Sequence, residues 1–305
     1  MSRAWTEELS ARFSLDEAAR FAYVRDGYVK LHQVFSRELL AHYRKTISAA
    51  VSALSTDILP LDRRTTYGKA FLQITNLWLR NPEICDFVFS KRLARIATEL
   101  MGCRGVRLYH DQALFKEPGG GITPWHADQY YFPVSNDNVV TAWVPLQDTP
   151  IEMGPLAFCK QSHQFSYGRD LEISDESEMT LNEALRAFER DETAYAIGDV
   201  SFHAGWTFHR AGANSTQKSR EVMTVIYIDE DMRVAEPRNK NQAADKDKFC
   251  PSRAAGELMD SCMTPLIYSQ EKQLVFHNGV TSSYGEGLLR AFNRSSAQKI
   301  PRQRR

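Results

Sequence analysis

Trp125-His126-Ala127-Asp128-Gln129-Tyr130-Tyr131 places an imidazole and a carboxylate two residues apart. In an extended strand, residues i and i+2 project from one face, so a strand here carries both groups to one point. A carboxylate on a buried face is costly to keep without a cation. A second stretch, Phe208-His209-Arg210-Ala211-Gly212-Ala213-Asn214, supplies another imidazole, and Arg220 follows eleven positions later. Two imidazoles and one carboxylate that leave coordination positions open form the donor set of non-haem ferrous sites. Arginine has the planar fork that grips a carboxylate through two bonds.

His203 and His163 compete with His209 for the third ligand position. The third ligand and Arg220 have to approach the two ends of one small molecule. Eleven residues between His209 and Arg220 fit a strand, a turn and a return strand, whereas His203 needs a longer excursion. This favours His126, Asp128 and His209 as ligands, with His203 as a core histidine or a support for a ligand. Around them, Tyr130, Tyr131 and Phe132 offer aromatic faces for a substrate or for the core. Arg210 and Lys116 are candidates for meeting an anionic substrate, Lys116 because it shares strand parity with Gln112.

The chain has 305 residues, 43% of them hydrophobic, enough for a sizeable core. Acidic and basic residues number 38 each, a balance with no electrostatic footprint for nucleic acid. Five cysteines without a CxxC spacing predict reduced thiols, which suits ferrous iron and a cytoplasmic location. No apolar run approaches a membrane span, and the start lacks the apolar core of a signal peptide. The basic tail at 301–305 reads as a solvated terminus. The expected partner is a small-molecule substrate, with the chain acting as a monomer or homodimer.

Secondary structure is expected to change character along the chain. Ser14-Leu15-Asp16-Glu17 reads as a capping box for a helix toward Arg25, with Asp26-Gly27 ending it and a strand at Tyr28 to Leu31. Ser36 caps a helix to about Leu54. Residues 56–68 read as loop and Phe71 to Leu79 as strand. Asn81-Pro82 starts a helix to Gly102. Short strands then alternate with Gly, Pro, Asn and Asp turns from Val106 to Ile228, the pattern of a β-sandwich or barrel. An acidic insert at 170–193, with Thr180-Leu181-Asn182-Glu183 as a capping box, is either a lid or a surface helix. Residues 229–253 read as loop. The expected organisation is a single domain over 1–305, with helical support at 1–104, a β core at 105–230 and C-terminal loops and tail at 231–305.

The ordered set His126-Ala127-Asp128, Trp143, Met153-Gly154-Pro155-Leu156, Ser162-His163, Gly198-Asp199, His209 and Arg220 resembles the phytanoyl-CoA dioxygenase family of Fe(II)/2-oxoglutarate oxygenases. Asp26-Gly27-Tyr28-Val29 and Tyr109-His110-Asp111-Gln112 extend the likeness over most of residues 15–230. The resemblance implies a double-stranded β-helix, a cupin-like jelly roll with N-terminal helices on one side. It implies Fe(II) on His126, Asp128 and His209, with 2-oxoglutarate and O₂ as cosubstrates. Arg220 would take the distal carboxylate of 2-oxoglutarate, with Gln112 and Trp143 lining its pocket and Lys69 as a further contact. Family members often carry a serine where this chain has Ala211. Asp128 fills the position that related halogenases leave open for halide, so hydroxylation or another C–H oxidation is implied. Two other readings remain: a redox-neutral zinc enzyme using metal-bound water, and a non-catalytic jelly-roll module that binds a small ligand.

Overall fold

The computed structural model describes residues 3–55 and 59–272, together with the backbone of 276–277 and 280–281. The basic tail at 301–305 lies outside the described residues. Eleven strands build two facing sheets: β1 (Tyr28–Leu31), β2 (Leu72–Thr75), β3 (Gly105–Lys116), β4 (Thr123–His126), β5 (Val139–Pro145), β6 (Leu156–Cys159), β7 (Arg190–Glu192), β8 (Val200–Ala204), β9 (His209–Ala211), β10 (Arg220–Asp229) and β11 (Leu266–Ser269). The larger sheet runs β1-β8-β5-β10-β3-β11, with β2 also on β3, and the smaller runs β4-β9-β6-β7. All the pairings are antiparallel. Two antiparallel sheets facing each other are the jelly roll that the turn-punctuated strands predicted.

The large sheet is buried on both faces, and side-chain alternation sorts the two. On β5, Val140, Ala142 and Val144 join the core under the helices. Their neighbours Thr141 and Trp143 point the other way, into the space between the sheets. On β10, Met223, Val225 and Tyr227 face the helices, while Arg220, Thr224 and Ile226 face the interior. The helical layer comprises α1 (Arg3–Ser10), α2 (Glu17–Asp26), α3 (Arg37–Leu54), α5 (Pro82–Val88) and α6 (Lys91–Met101), while α4 (Thr66–Ala70) lies by β4 on the cavity side. Leu39, Leu40, Tyr43, Ile47 and Val51 form the buried stripe of α3 at helical spacing. Two further helices, α7 (Asp175–Ala184) and α8 (Lys240–Phe249), come later in the chain. None of the described helices is long and apolar enough to cross a membrane.

Local signals located most ends and misplaced several. Ser36 and Asn81 cap α3 and α5 as expected. The cap of α2 is Asp16, whose carboxylate accepts the Ala19 N–H, rather than Ser14. Gly27 ends α2 at φ +83°, where an added Cβ would lie 2.5 Å from His163 Nδ1. The stretch 82–102 is two helices, because Ser90 leaves the helix and caps α6 through the Leu93 N–H. Residues 56–68, expected as loop, hold the start of α4, capped by Thr65. The expected strand over 71–79 stops at Thr75. There the buried Asp111 carboxylate accepts the Leu77 and Trp78 N–H groups and turns the chain into a 3₁₀ helix. The insert helix α7 is capped by a box between Ser174 and Ser177, not at Thr180. Residues 229–253, expected as loop, contain α8, whose weak amphipathic pattern hid it.

Ile47 is fully buried in the helical layer. Ile47→Ala should therefore cost about 2–5 kcal/mol and lower the calorimetric midpoint by about 5–15 °C. Phe21→Ala, at a residue 65% exposed on α2, should leave the midpoint within about 2 °C.

A candidate metal centre between the sheets

His126 is the last residue of β4, and His209 opens β9 as its register partner. Their Nδ1 atoms lie 2.8 Å from the Pro124 carbonyl and 2.9 Å from the Thr207 carbonyl. Each ring thus donates through Nδ1 and turns an Nε2 lone pair inward. Asp128 lies just beyond the strand, at the start of a 3₁₀ helix over Asp128–Tyr131. Ala127 is still extended, so the two-residue alternation survives and brings Asp128 to the face of His126.

The two carboxylate oxygens of Asp128 have different surroundings. Oδ2 accepts hydrogen bonds from Thr141 Oγ1 at 2.7 Å and His203 Nε2 at 3.1 Å. Oδ1 faces both histidines, 3.7 Å from each Nε2. One donor atom from each of His126, Asp128 and His209 falls within 4.8 Å of the others, a set that fits one metal ion. Burial lowers the basicity of both His126 and His209 and favours the neutral, ligating form. Burial alone would raise the Asp128 carboxyl. Positive charge on the surrounding histidines when they protonate, His209 foremost, together with the His203 hydrogen bond, outweighs it and keeps the carboxylate ionised. His203 is therefore a support for Asp128, and His163 lies against Gly27, away from the cluster.

The three groups open into a cavity of about 230 Å³ that is also lined by Arg220, Gln112, Trp143, Thr123, Ala211 and Thr224. Arg220 starts β10 and is 1% exposed. One of its Nη atoms donates to the Gly154 carbonyl, and its Nε has no partner. Among the described residues no carboxylate pairs with it, and burial pulls its pKa down to about 10. Its guanidinium lies 5.5 Å from the centre of the Trp143 ring. Gly154 sits at φ +70°, and an added Cβ would lie 2.2 Å from the Gly212 carbonyl, so glycine is required to set that Arg220 acceptor. Gln112, Thr224 and Trp143 form one register row across β3, β10 and β5. Gln112 is fixed by a 2.7 Å bond from Gln73 Nε2.

Several expected contacts lie elsewhere. Lys116 is fully buried, and its ammonium donates to the Gly121 and Gly212 carbonyls at 2.6 and 2.7 Å, stapling two turns together. Arg210 turns outward to Glu178. The Tyr130 hydroxyl sits 3.4 Å from Asn241 Nδ2, outside the cavity lining, while Tyr131 and Phe132 do line it. Lys69 contributes its backbone carbonyl to the Gly121 N–H, and its side chain is not in the lining. Side chains of adjacent parity were told apart only by the turns they meet.

The family model described as phytanoyl-CoA dioxygenase (PhyH) matches residues 23–222. The chain belongs to the phytanoyl-CoA dioxygenase family. A curated family relative, a probable alpha-ketoglutarate-dependent hypophosphite dioxygenase of Stutzerimonas stutzeri, is 25% identical over 217 residues, which cover 67% of this chain and 76% of the relative. The alpha ketoglutarate-dependent carbocyclase SnoK from nogalamycin biosynthesis superposes with a TM-score of 0.70 at 23% identity, over 85% of this chain and 100% of its own. The epimerase SnoN, solved with Fe³⁺, alpha ketoglutarate and nogalamycin RO, gives 0.69 at 24% identity, over 83% and 98%. These two share the jelly roll of this family member.

One residue with no sequence signal ties the site together. Glu178 on α7 accepts the Trp125 N–H at 2.7 Å and pairs with Arg210 Nη1 at 2.8 Å. Trp125 precedes His126 and Arg210 follows His209, so one carboxylate from the insert braces both histidine strands. The insert is thus anchored to the site rather than hung over it. Glu178→Ala should weaken divalent-metal binding roughly 10-fold or more in a chelator competition titration. Glu178→Gln, which keeps an acceptor for the Trp125 N–H, should lose less. Because burial depresses both histidines, protons should compete with the metal only below the ordinary imidazole value of about 6.5. Calorimetric metal titration should show full affinity at that pH and a decline only at more acidic values.

Proposed function

We propose that this family member is an Fe(II)- and 2-oxoglutarate-dependent dioxygenase that oxidises an unactivated C–H bond of a small molecule, giving succinate and CO₂. The observation that carries the reading is Arg220. It is a buried cation without a counter-charge among the described residues, and it lines the same cavity as His126, Asp128 and His209. A lone buried charge is costly, and a ligand carboxylate removes the cost. The name of the Stutzerimonas stutzeri relative supports the same cosubstrate.

In this reading His126, Asp128 and His209 hold the iron, which together with 2-oxoglutarate and O₂ supplies the oxidising power. Asp128 keeps its place because Thr141 and His203 occupy Oδ2 and leave Oδ1 for the metal. Arg220 would take the distal carboxylate of 2-oxoglutarate, with Trp143 and Gln112 lining the same cavity. Ala211 lacks the hydroxyl frequent in the family. Its register partner Thr123 lines the cavity and offers one from the adjacent strand. The deep burial of Arg220 at this inner end lowers the local dielectric, which strengthens each polar contact.

Anaerobic addition of Fe(II) and then 2-oxoglutarate should produce the weak visible band of the chelated cosubstrate. Arg220→Met should weaken 2-oxoglutarate by roughly 2–5 kcal/mol, about 30-fold to several thousand-fold. His209→Ala should abolish the band. A full-strength band in Arg220→Met, or none in the iron-loaded wild type, would remove the cosubstrate assignment.

A further inference from the structure

The cavity that holds the metal ligands continues past them to a mouth built by α4, β2, the insert and α8. Tyr67, Phe71, Gln73 and Thr75 come from α4 and the β2 segment, Ile173 from the insert, and Asp245, Lys248 and Phe249 from α8. Polar contacts join these pieces into a ring. Lys248 Nζ donates to Thr75 Oγ1 at 2.8 Å, Thr66 Oγ1 meets the Asp175 carboxylate at 2.9 Å, and Asn241 Nδ2 donates to Glu172 at 3.1 Å. The Tyr131 hydroxyl accepts the Ile173 N–H at 3.0 Å. The helix α8 lies beyond the residues 23–222 that match the family model.

The chemistry of the ring is specific. Its lining is aromatic on several sides, through Tyr67, Phe71, Tyr131, Phe132 and Phe249. Two charged side chains lie at the mouth, three residues apart on one face of α8: Asp245 and Lys248. Asp245 is already engaged, accepting from the Tyr109 hydroxyl at 2.9 Å. Lys248 is exposed at the opening and bonds a neutral hydroxyl. Partial burial lowers its pKa, and Asp245 and Asp111 act across space against that shift. Its Nζ lies over the Phe249 ring, 4.8 Å from the centroid. An ammonium fixed by a hydroxyl above an aromatic floor has donors to spare for an incoming anion.

We infer that Lys248 anchors an acidic group of the substrate, a carboxylate or phosphoryl, while an aromatic or other flat apolar body lies along Tyr67, Tyr131, Phe132 and Phe249. This deepens the oxygenase reading and rests on it for giving the inner end, with Arg220, to the cosubstrate. The substrate then enters acid-outward, and its far end is presented toward His126, Asp128 and His209. Thr75 positions the ammonium, and Phe249 keeps the lysine stem from swinging into solvent.

The test is calorimetric binding of phenylacetate, phenylphosphonate and neutral phenylacetamide to the full chain loaded anaerobically with Fe(II) and 2-oxoglutarate. At least one acid should bind about 10-fold or more tighter than the amide. Lys248→Met should reduce that acid to the level of the amide, and Lys248→Glu should abolish it. The visible band of both variants should match the wild type. Equal binding of acids and amide, a preference that survives Lys248→Met, or no binding of either acid would overturn the inference. The oxygenase reading fails separately, as an absent band in the wild type. In that case the acids are titrated into Arg220→Met, where retained binding upholds Lys248 and lost binding assigns the anion to Arg220 instead.

Discussion

The Asp128 carboxylate, half-buried, and the Arg220 guanidinium, fully buried, lie between the sheets with no partner among the described residues that neutralises either fully, and the rest of the site follows from how each is held. The Asp128 carboxylate has one oxygen saturated by Thr141 and His203 and the other turned to two imidazole lone pairs. The Arg220 guanidinium has a carbonyl on one side and an unpartnered Nε on the other. Neither arrangement is stable on its own in a low-dielectric interior. A cation at the first and an anion at the second would satisfy both, so the protein's electrostatics describe the ligands it is built to take.

The framework keeps that unsatisfied state in place through backbone register. His126 and His209 are paired across β4 and β9, and Thr141, Trp143, Gln112 and Thr224 sit in adjacent rows of the large sheet. Nearby glycines and turns serve the same geometry. Gly154 lets its carbonyl meet Arg220, and Lys116 ties the Gly121 and Gly212 turns together. Glu178 adds a brace from the insert to the strands of both histidines. The helical layer fills the opposite face of the large sheet and leaves its inner face free for polar residues.

The site divides into an inner end, where the metal-binding groups and Arg220 lie, and a mouth. The inner end lies within the region that matches the family model. The mouth adds α8, outside that region, and it carries the charged and aromatic side chains that face an entering molecule. Division of this kind separates the metal-binding groups from the wall that meets an entering molecule.

The ordered spacing of His126, Asp128, His209 and Arg220 was legible in the sequence, because alternation in a strand and the reach of a hairpin are local rules. The β-rich core was legible for the same reason: strands and turns leave a period of two and a run of breakers. The destinations of Lys116, Arg210 and Tyr130 were not. Parity or adjacency to a ligand does not say which carbonyl, carboxylate or amide a side chain meets once distant segments pack. Glu178 and Thr141 were equally hidden as supports, and for His203, expected as a core histidine or a ligand support, only packing decided between the two. The sequence by itself determined the donor set and the class of fold. The tertiary structure alone decided which oxygen of Asp128 is free, where the buried cation lies and which helix walls the mouth, because those depend on contacts between segments that no local pattern records.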